Sequence, residues 1–365
     1  MADTVRVAVI GTGIGVEHVR AMQQVPGASV VGVGSARQER AQRVARENDV
    51  PRASADYHDF LDDDVDALVI TTPQALHLPI TRDALAAGKH VLCEKPLGIT
   101  MAEAREMVRL ADATNCVHMV NHHQRFGAAF LGMKQQVDAG YLGTPTLSDG
   151  RFTHNPADYL RAGLWSDSKA TWFTDDTQGG GILAGSAGPH LIDMLCWMLG
   201  DVEAVCGVTA VTVPEITLAD GSVARDITAP DGFLHVLRFA SGALATIRGI
   251  PAAYSGHGGL ALELNGTTGA LRVGGAMDDV NRGLRGATKG TDHIEELPVP
   301  DAPWDRVGIA TAFIEAIRSG GPSPAPNFHD GLRVQAIITA LQEAAARRAW
   351  VAVERESPVG GMVRG

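Results

Sequence analysis

The residues of this chain whose types and spacing could do chemistry begin at its first strand-to-helix turn. A β-branched apolar run, Val5 to Ile10, leads directly into Gly11-Thr12-Gly13-Ile14-Gly15, and a helical pattern follows. Glycines in such a turn let backbone N–H groups and the positive end of the helix dipole approach a pyrophosphate. The spacing is GxGxG, with Val16 where the usual third glycine would stand. Alone it could be a tight turn; at the head of alternating strands and helices it reads as a dinucleotide site.

The end of the second strand discriminates between dinucleotides. An acid there would accept hydrogen bonds from a ribose 2′-OH and repel a 2′-phosphate. This chain has Ser35 and Arg37 there, with Arg40 one turn on. Ser35 can donate to a phosphate oxygen, and Arg37 or Arg40 can pair with its charge. The expectation is a preference for NADP over NAD, set against the plainer reading of two solvated surface arginines.

Composition narrows the partners. Of 365 residues 45% are hydrophobic and 20% charged, which argues for folded domains and against disorder. Lys plus Arg number 31 against 42 Asp plus Glu, a net charge of −11 without a basic block, so nucleic acid is not an expected partner. Cys93, Cys116, Cys196 and Cys206 form no CxxC pair or zinc set, and read as reduced thiols. No metal site is expected, and Asp62, Asp63, Asp64 and Asp66 read as a solvated turn. No apolar run suits a signal peptide or a membrane span, so a cytoplasmic location away from membranes is expected.

The elements that must position these residues fall into two rhythms. Strands are expected at Val5–Ile10, Ser29–Gly34, Ala67–Thr71, His90–Cys93 and Cys116–Asn121, alternating with helices near 16–25, 37–48, 79–88 and 100–114. Apolar strands separated by helices imply a parallel sheet covered on both faces. After a helix near 127–139 come strands at 146–152, 202–213, 232–240, 243–250, 260–265 and 269–273, with turn signals at Ser241-Gly242 and Asn265-Gly266. Short turns between such runs imply an antiparallel sheet. Two helices, near 304–318 and 330–348, close the chain; residues 274–296 take no assignment.

Four further runs carry a resemblance: TTPQALH at 71–77, AGKHVLCEKPL at 87–97, Arg125-Phe126, and GGGILAGSAGPHLID at 179–193. In order and spacing they resemble the Gfo/Idh/MocA oxidoreductase family, named for glucose–fructose oxidoreductase and inositol dehydrogenase. The likeness spans essentially the whole chain, and AGKHVLCEKPL is its most specific part. It implies an α/β Rossmann domain over 1–124 and, over 125–365, an α+β domain on a large open, mainly antiparallel sheet. The C-terminal helices are expected to return to the first domain, and the open sheet to serve as a homo-oligomer surface.

The resemblance also implies roles. Lys95 would donate or accept a proton, assisted by His190, with substrate held between the domains against the nicotinamide. Thr72, Pro73 and His77 would line the nicotinamide-ribose side, with Glu94, Lys95 and Pro96 beside them. His122, Arg125, Trp172, Asp176 and Ser186 are candidates for touching substrate together with His190. One departure stands out. Many members carry an Asp four residues before this histidine; here that count reaches Ser186, or Gly185 counted from the glycine triplet. Asp175 and Asp176 are candidate replacements.

Elementary chemistry agrees with the lysine. Oxidising a secondary alcohol by hydride transfer requires a base at the hydroxyl while the nicotinamide faces its carbon. Lys95 follows the carboxyl end of a parallel strand, where open α/β sheets hold ligands, and a desolvated lysine titrates lower. Pro96 restrains the backbone beside it. The plain alternative is a surface Glu94–Lys95 pair. Asp193 is read as orienting its segment. Adjacent His122 and His123 on an extended chain would point oppositely, so at most one should reach substrate. Tyr159, Trp165 and Trp172 offer aromatic faces for sugar C–H surfaces. The expected function is nicotinamide-dependent hydride transfer at a hydroxyl or carbonyl carbon of a sugar, inositol or polyol. Two rivals stand beside it: glycoside cleavage by transient oxidation, and a non-catalytic NADP-binding regulator.

Overall fold

The computed structural model describes residues 4–154, 171–217, 221, 223–251, 259–274 and 283–354, excepting the side chains of 154, 171, 172 and 182. The first sheet is built from β1 (Val5–Ile10), β2 (Ala28–Gly34), β3 (Arg52–Ser54), β4 (Ala67–Ile70), β5 (His90–Cys93) and β6 (His118–Val120). Its order is β3-β2-β1-β4-β5-β6, with every pair parallel. Strand β3 was not expected, because its Arg52-Ala53-Ser54 carries no apolar run.

The strands' period of two sorts their side chains into two cores. Val5, Val7 and Val9 face one side with α1 (Gly15–Met22) and α2 (Gln38–Glu47). Ala8 and Ile10 face the other with α3 (His77–Ala86) and α4 (Met101–Asp112). Thr100 starts α4 with a reciprocal capping box to Glu103, which fixes where the chain leaves the β5 loop.

Next come α5 (Ala128–Asp138), β7 (Pro145–His154), the short α6 (Gly181–Ala184) and α7 (Ala187–Leu199). The second sheet adds β8 (Val202–Ala210), β11 (Gly232–Phe239), β12 (Leu244–Pro251), β13 (Gly259–Gly266), β14 (Gly269–Gly274), β15 (Leu284–Thr288), β16 (Glu295–Glu296) and β17 (Val351–Ala352), with β9 (Ile216–Thr217) and β10 (Val223–Ala224) as a separate hairpin. Its order is β16-β15-β14-β13-β7-β12-β11-β8-β17. All pairs are antiparallel except β7–β12, which is parallel. The unassigned 274–296 stretch thus supplies β15 and β16.

One face of this sheet is covered and the other is open. Phe233, Leu237 and Phe239 of β11 pack with Leu191 and Leu195 of α7, while the intervening Leu234 is half exposed. The last two helices, α8 (Asp305–Ser319) and α9 (Phe328–Arg347), return to the first sheet. Ile309, Phe313 and Ile314 of α8 join the core of β1 and α1, and Phe328 of α9 joins that of β1 and α4. This return brings residues above 300 beside the carboxyl ends of β5 and β6.

Candidate active site

The glycine turn is shaped by its neighbours. Gly11 has φ +115°, and a Cβ there would strike the Thr71 hydroxyl and carbonyl. Thr71 Oγ1 donates to Ile10 O (3.0 Å), tying the ends of β1 and β4 together. Ile14, before α1, makes no side-chain cap; the Val16 and Glu17 N–H groups donate to Gly13 O and Ile14 O (3.3 and 3.0 Å). Thr12 Oγ1 donates to Ser35 Oγ (3.1 Å), and Arg40 donates to Thr12 O (3.0 Å), bracing the turn; Arg37 is exposed. At the end of β4, Thr72 Oγ1 is buried without a hydrogen-bond partner. A close-approach glycine turn leading into a helix without a side-chain cap, and an orphaned hydroxyl beside it, fit a dinucleotide, which residues 11–15 would hold at its phosphates and Thr72 nearer its nicotinamide.

Beyond β5 the chain turns Lys95 into the space between the two sheets. Its Nζ donates to Ser186 O across that space (2.9 Å). Burial brings its pKa down to about 8, with Arg306 helping and the Glu94 carboxylate opposing. Glu94 itself is buried and fully engaged: His18 Nε2 and Asn121 Nδ2 meet its Oε1 (2.9 and 2.7 Å), and the Lys95 backbone N–H donates to Oε2 (3.1 Å). Burial works to raise the Glu94 carboxyl, but the His18 hydrogen bond and the Lys95 and Arg306 charges hold it well below the usual range. His18, kept neutral by burial, is the donor in that bond. Both Glu94 oxygens are thus engaged within the fold, one of them by the Lys95 backbone.

The second wall is the glycine run. Gln74 Nε2 donates to Gly179 O (2.9 Å), docking this segment on the first sheet's loops. Gly179 has φ +77°, and a Cβ there would overlap the Gln74 carboxamide, so only glycine permits the contact. Ser186 begins α7, and His190 sits in its first turn with Nδ1 buried and unpartnered. Burial, then the Lys95 charge, hold the His190 imidazole well below its usual range.

Three of the predicted contacts come out differently. His122 and His123 do not diverge: a short helix starts at His123, and both rings lie against His190, with centroids 6.2 and 4.9 Å away. Neither nitrogen of His122 has a hydrogen-bond partner; its Nε2 lies 3.9 Å from Asp193 Oδ1. Arg125 is turned inward, bound by Asp193 (2.9 and 2.5 Å) and Asp330 (3.1 Å), so its guanidinium is engaged in a buried ion pair. Asp193 orients its helix through that pair. His77 is fully buried between Pro96 O and Thr72 O (3.0 Å each); it clamps the two loops of the nicotinamide side and does not line them.

The remaining candidates spread out. The Asp175 carboxylate accepts from the Thr177 hydroxyl and the Gln178 amide (2.6 and 2.7 Å), within its own turn. Asp176 is exposed, and Pro73 is exposed while Pro96 is buried. The Trp172 side chain, with Tyr159 and Trp165, lies outside the described residues. His18, Asn121, Asp305 and Arg306 were not anticipated. His18 had one signal, its place three residues after Gly15 on the buried face of α1; Asp305 and Arg306 had none, since only the return of α8 brings them here. Among the described residues no group of three or more metal-ligating side chains is gathered, and no helix is long and apolar enough to cross a membrane.

A parallel sheet with a phosphate-binding turn, a lysine of lowered basicity at its carboxyl edge and unpartnered imidazoles opposite define a nucleotide-dependent oxidoreductase site. Residues 5–122 match the family model "Oxidoreductase family, NAD-binding Rossmann fold", and residues 130–272 match "GFO/IDH/MocA C-terminal domain". The chain belongs to the Gfo/Idh/MocA oxidoreductase family. It is 29% identical to levoglucosan dehydrogenase of Pseudarthrobacter phenanthrenivorans, over 89% of this chain and 90% of that protein. It is 31% identical to 1,5-anhydro-D-fructose reductase of Ensifer adhaerens, over 88% of this chain and 90% of that one. Among solved structures, levoglucosan dehydrogenase in complex with NADH and L-sorbose superposes with a TM-score of 0.86 at 25% identity, over 97% of this chain and 100% of the other.

Proposed function

We propose that the protein transfers a hydride between a nicotinamide dinucleotide, NADP(H) in preference to NAD(H), and a hydroxyl or carbonyl carbon of a sugar, inositol or related polyol. The observation that carries this reading is the set of buried, unpartnered polar atoms on His122 and His190 facing a lysine of lowered pKa. Buried polar atoms are normally hydrogen-bonded, so such a set awaits a ligand rich in hydroxyls. The relatives named for levoglucosan and anhydrofructose chemistry support the same substrate class.

The nicotinamide, when bound, supplies or accepts the hydride. In alcohol oxidation Lys95, as the free amine, takes the hydroxyl proton at Nζ; in carbonyl reduction the ammonium returns it. Ser186 O holds the Lys95 Nζ in place between reactions. His190, neutral, offers a ring nitrogen to the same substrate oxygen. The walls on either side of Lys95, tied by Gln74 and Gly179, restrict water.

The NADP preference rests on the missing carboxylate after β2, on Ser35 at the rim of the glycine turn, and on Arg37 exposed two residues on. The reading also places the protein in the cytoplasm, divides it at residue 124, and assigns the open face of the second sheet to homo-oligomer contacts. The test is a fluorescence titration of nucleotide-free protein with NADPH and NADH in parallel, followed by a polyol screen with the tighter one. Tighter NADPH binding is expected. Tighter NADH binding overturns the preference, and binding of neither by folded protein overturns the function.

A further inference from the structure

Ser186 and Gly185 bring no charge to His190 from its own segment, yet an acid reaches the histidines from a distant one. Asp305 opens α8 at 6% exposure, and its Oδ2 lies 3.7 Å from His123 Nε2. The His123 ring meets that of His190 at 78°, centroids 4.9 Å apart. The other side of His123 sets its proton. The Asn121 amide gives one N–H to Glu94 Oε1 (2.7 Å); His18 Nε2, 3.3 Å away, itself donates to Glu94 and cannot accept, so the second N–H is left for His123 Nδ1 at 3.4 Å. An imidazole accepting at Nδ1 carries its proton on Nε2, here toward Asp305. Asp305 Oδ1 already accepts the Arg306 backbone N–H (2.8 Å), which leaves Oδ2 for the ring.

We propose that Asp305 is a positioning residue of the reaction: through His123 it fixes the His190 ring beside Lys95. The proposal rests on the roles given to Lys95 and His190 above. A buried amine that becomes an ammonium beside Arg306 needs a counter-charge, and burial keeps the surrounding imidazoles neutral. Glu94 supplies that carboxylate from the β5 side; Asp305, from α8, acts through His123 instead. The charged and titratable groups around this pair are Arg306, Glu94, His18 and Lys95 on the His123 side and Arg306 on the Asp305 side. Burial, opposed by Arg306, raises the Asp305 carboxyl to about 6, so it is ionised at neutral pH and its charge is lost below that value.

Asp305→Asn keeps the shape of the side chain. It should lower kcat for alcohol oxidation about tenfold, less than removal of a direct acid–base group, and leave the dinucleotide Kd unchanged. Wild-type log kcat should steepen below about pH 6, a feature absent from Asp305→Asn, and Asp305→Glu should recover part of the rate. Wild-type kcat and an unaltered acid limb in Asp305→Asn would overturn the proposal. Imidazole 15N shifts of the wild-type protein decide the matter even if the variant fails to fold. A His123 protonated at Nε2, with shifts that follow the carboxyl transition, supports the pair; Nδ1 protonation or pH-independent shifts overturn it. That measurement needs no substrate, so its failure is distinct from a failure of the polyol reading.

Discussion

Two buried polar clusters lie within one short stretch after β6, and they are built on opposite terms. Arg125 is held between Asp193 and Asp330, and Asp330 is also met by Arg333 (2.5 Å), so each charge has an opposite neighbour. His122 and His123, three and two residues earlier, face His190 across rings, and His122 and His190 keep nitrogens without hydrogen bonds. The first cluster is complete without a ligand and braces α7 and α9 against the β6 turn. The second is incomplete until something with hydroxyls enters. Satisfied buried charge marks structure; unsatisfied buried polarity beside a tuned lysine marks function.

Substitutions sharpen that contrast. Lys95→Met should lower kcat by about 10²–10⁴-fold while leaving dinucleotide binding intact, measured by stopped-flow turnover alongside nucleotide fluorescence. Retained turnover would remove the role assigned to Lys95. Arg125→Met should instead cost about 3–5 kcal/mol of stability, because the buried Asp193 loses its guanidinium and Asp330 is left with Arg333 alone. Denaturant unfolding reads that loss, and the KM of the folded fraction should stay near wild type. A raised KM with unchanged stability would return Arg125 to the substrate site.

Smaller effects follow. Lys95 titrates near 8, and alcohol oxidation needs the free amine, so log kcat/KM should rise with pH up to about 8 and then level. The reductive direction, which needs the ammonium, should decline above the same value. A pH-independent oxidation rate between 6 and 9 would break the link between burial and basicity. Ser35→Asp combined with Arg37→Ala should shift the NADPH/NADH affinity ratio about tenfold toward NADH, about 1.4 kcal/mol, in paired titrations. An unchanged ratio would show that the rim of β2 does not set the preference.

Much of the fold was legible because burial leaves a periodic trace. Val7 to Ile10 and Ala67 to Ile70 are apolar along their whole length, and that requires cover on both faces. The β3 strand left no such trace, since its three residues are only partly buried at the sheet edge. The parallel β7–β12 pair was equally hidden: turn signals reveal which strands are joined, not which are neighbours after a long connection. In the site, Lys95 and His190 could be named from their runs. The inward turn of Arg125 could not, because its partners Asp193 and Asp330 are remote in sequence.

The sequence by itself determined that a glycine turn follows the first strand, that Lys95 stands at the carboxyl end of another strand, and that His190 opens a helix. These are local matters, decided by residue type, spacing and hydrophobic period. Which acids serve the site was decided only by tertiary structure. Glu94 is held under Lys95 by His18 and Asn121, and Asp305 meets His123 because α8 packs back on the first sheet. The physical reason is that the state of a buried ionisable group depends on its solvation and on charges a few ångströms away. Chain folding, not chain order, supplies both.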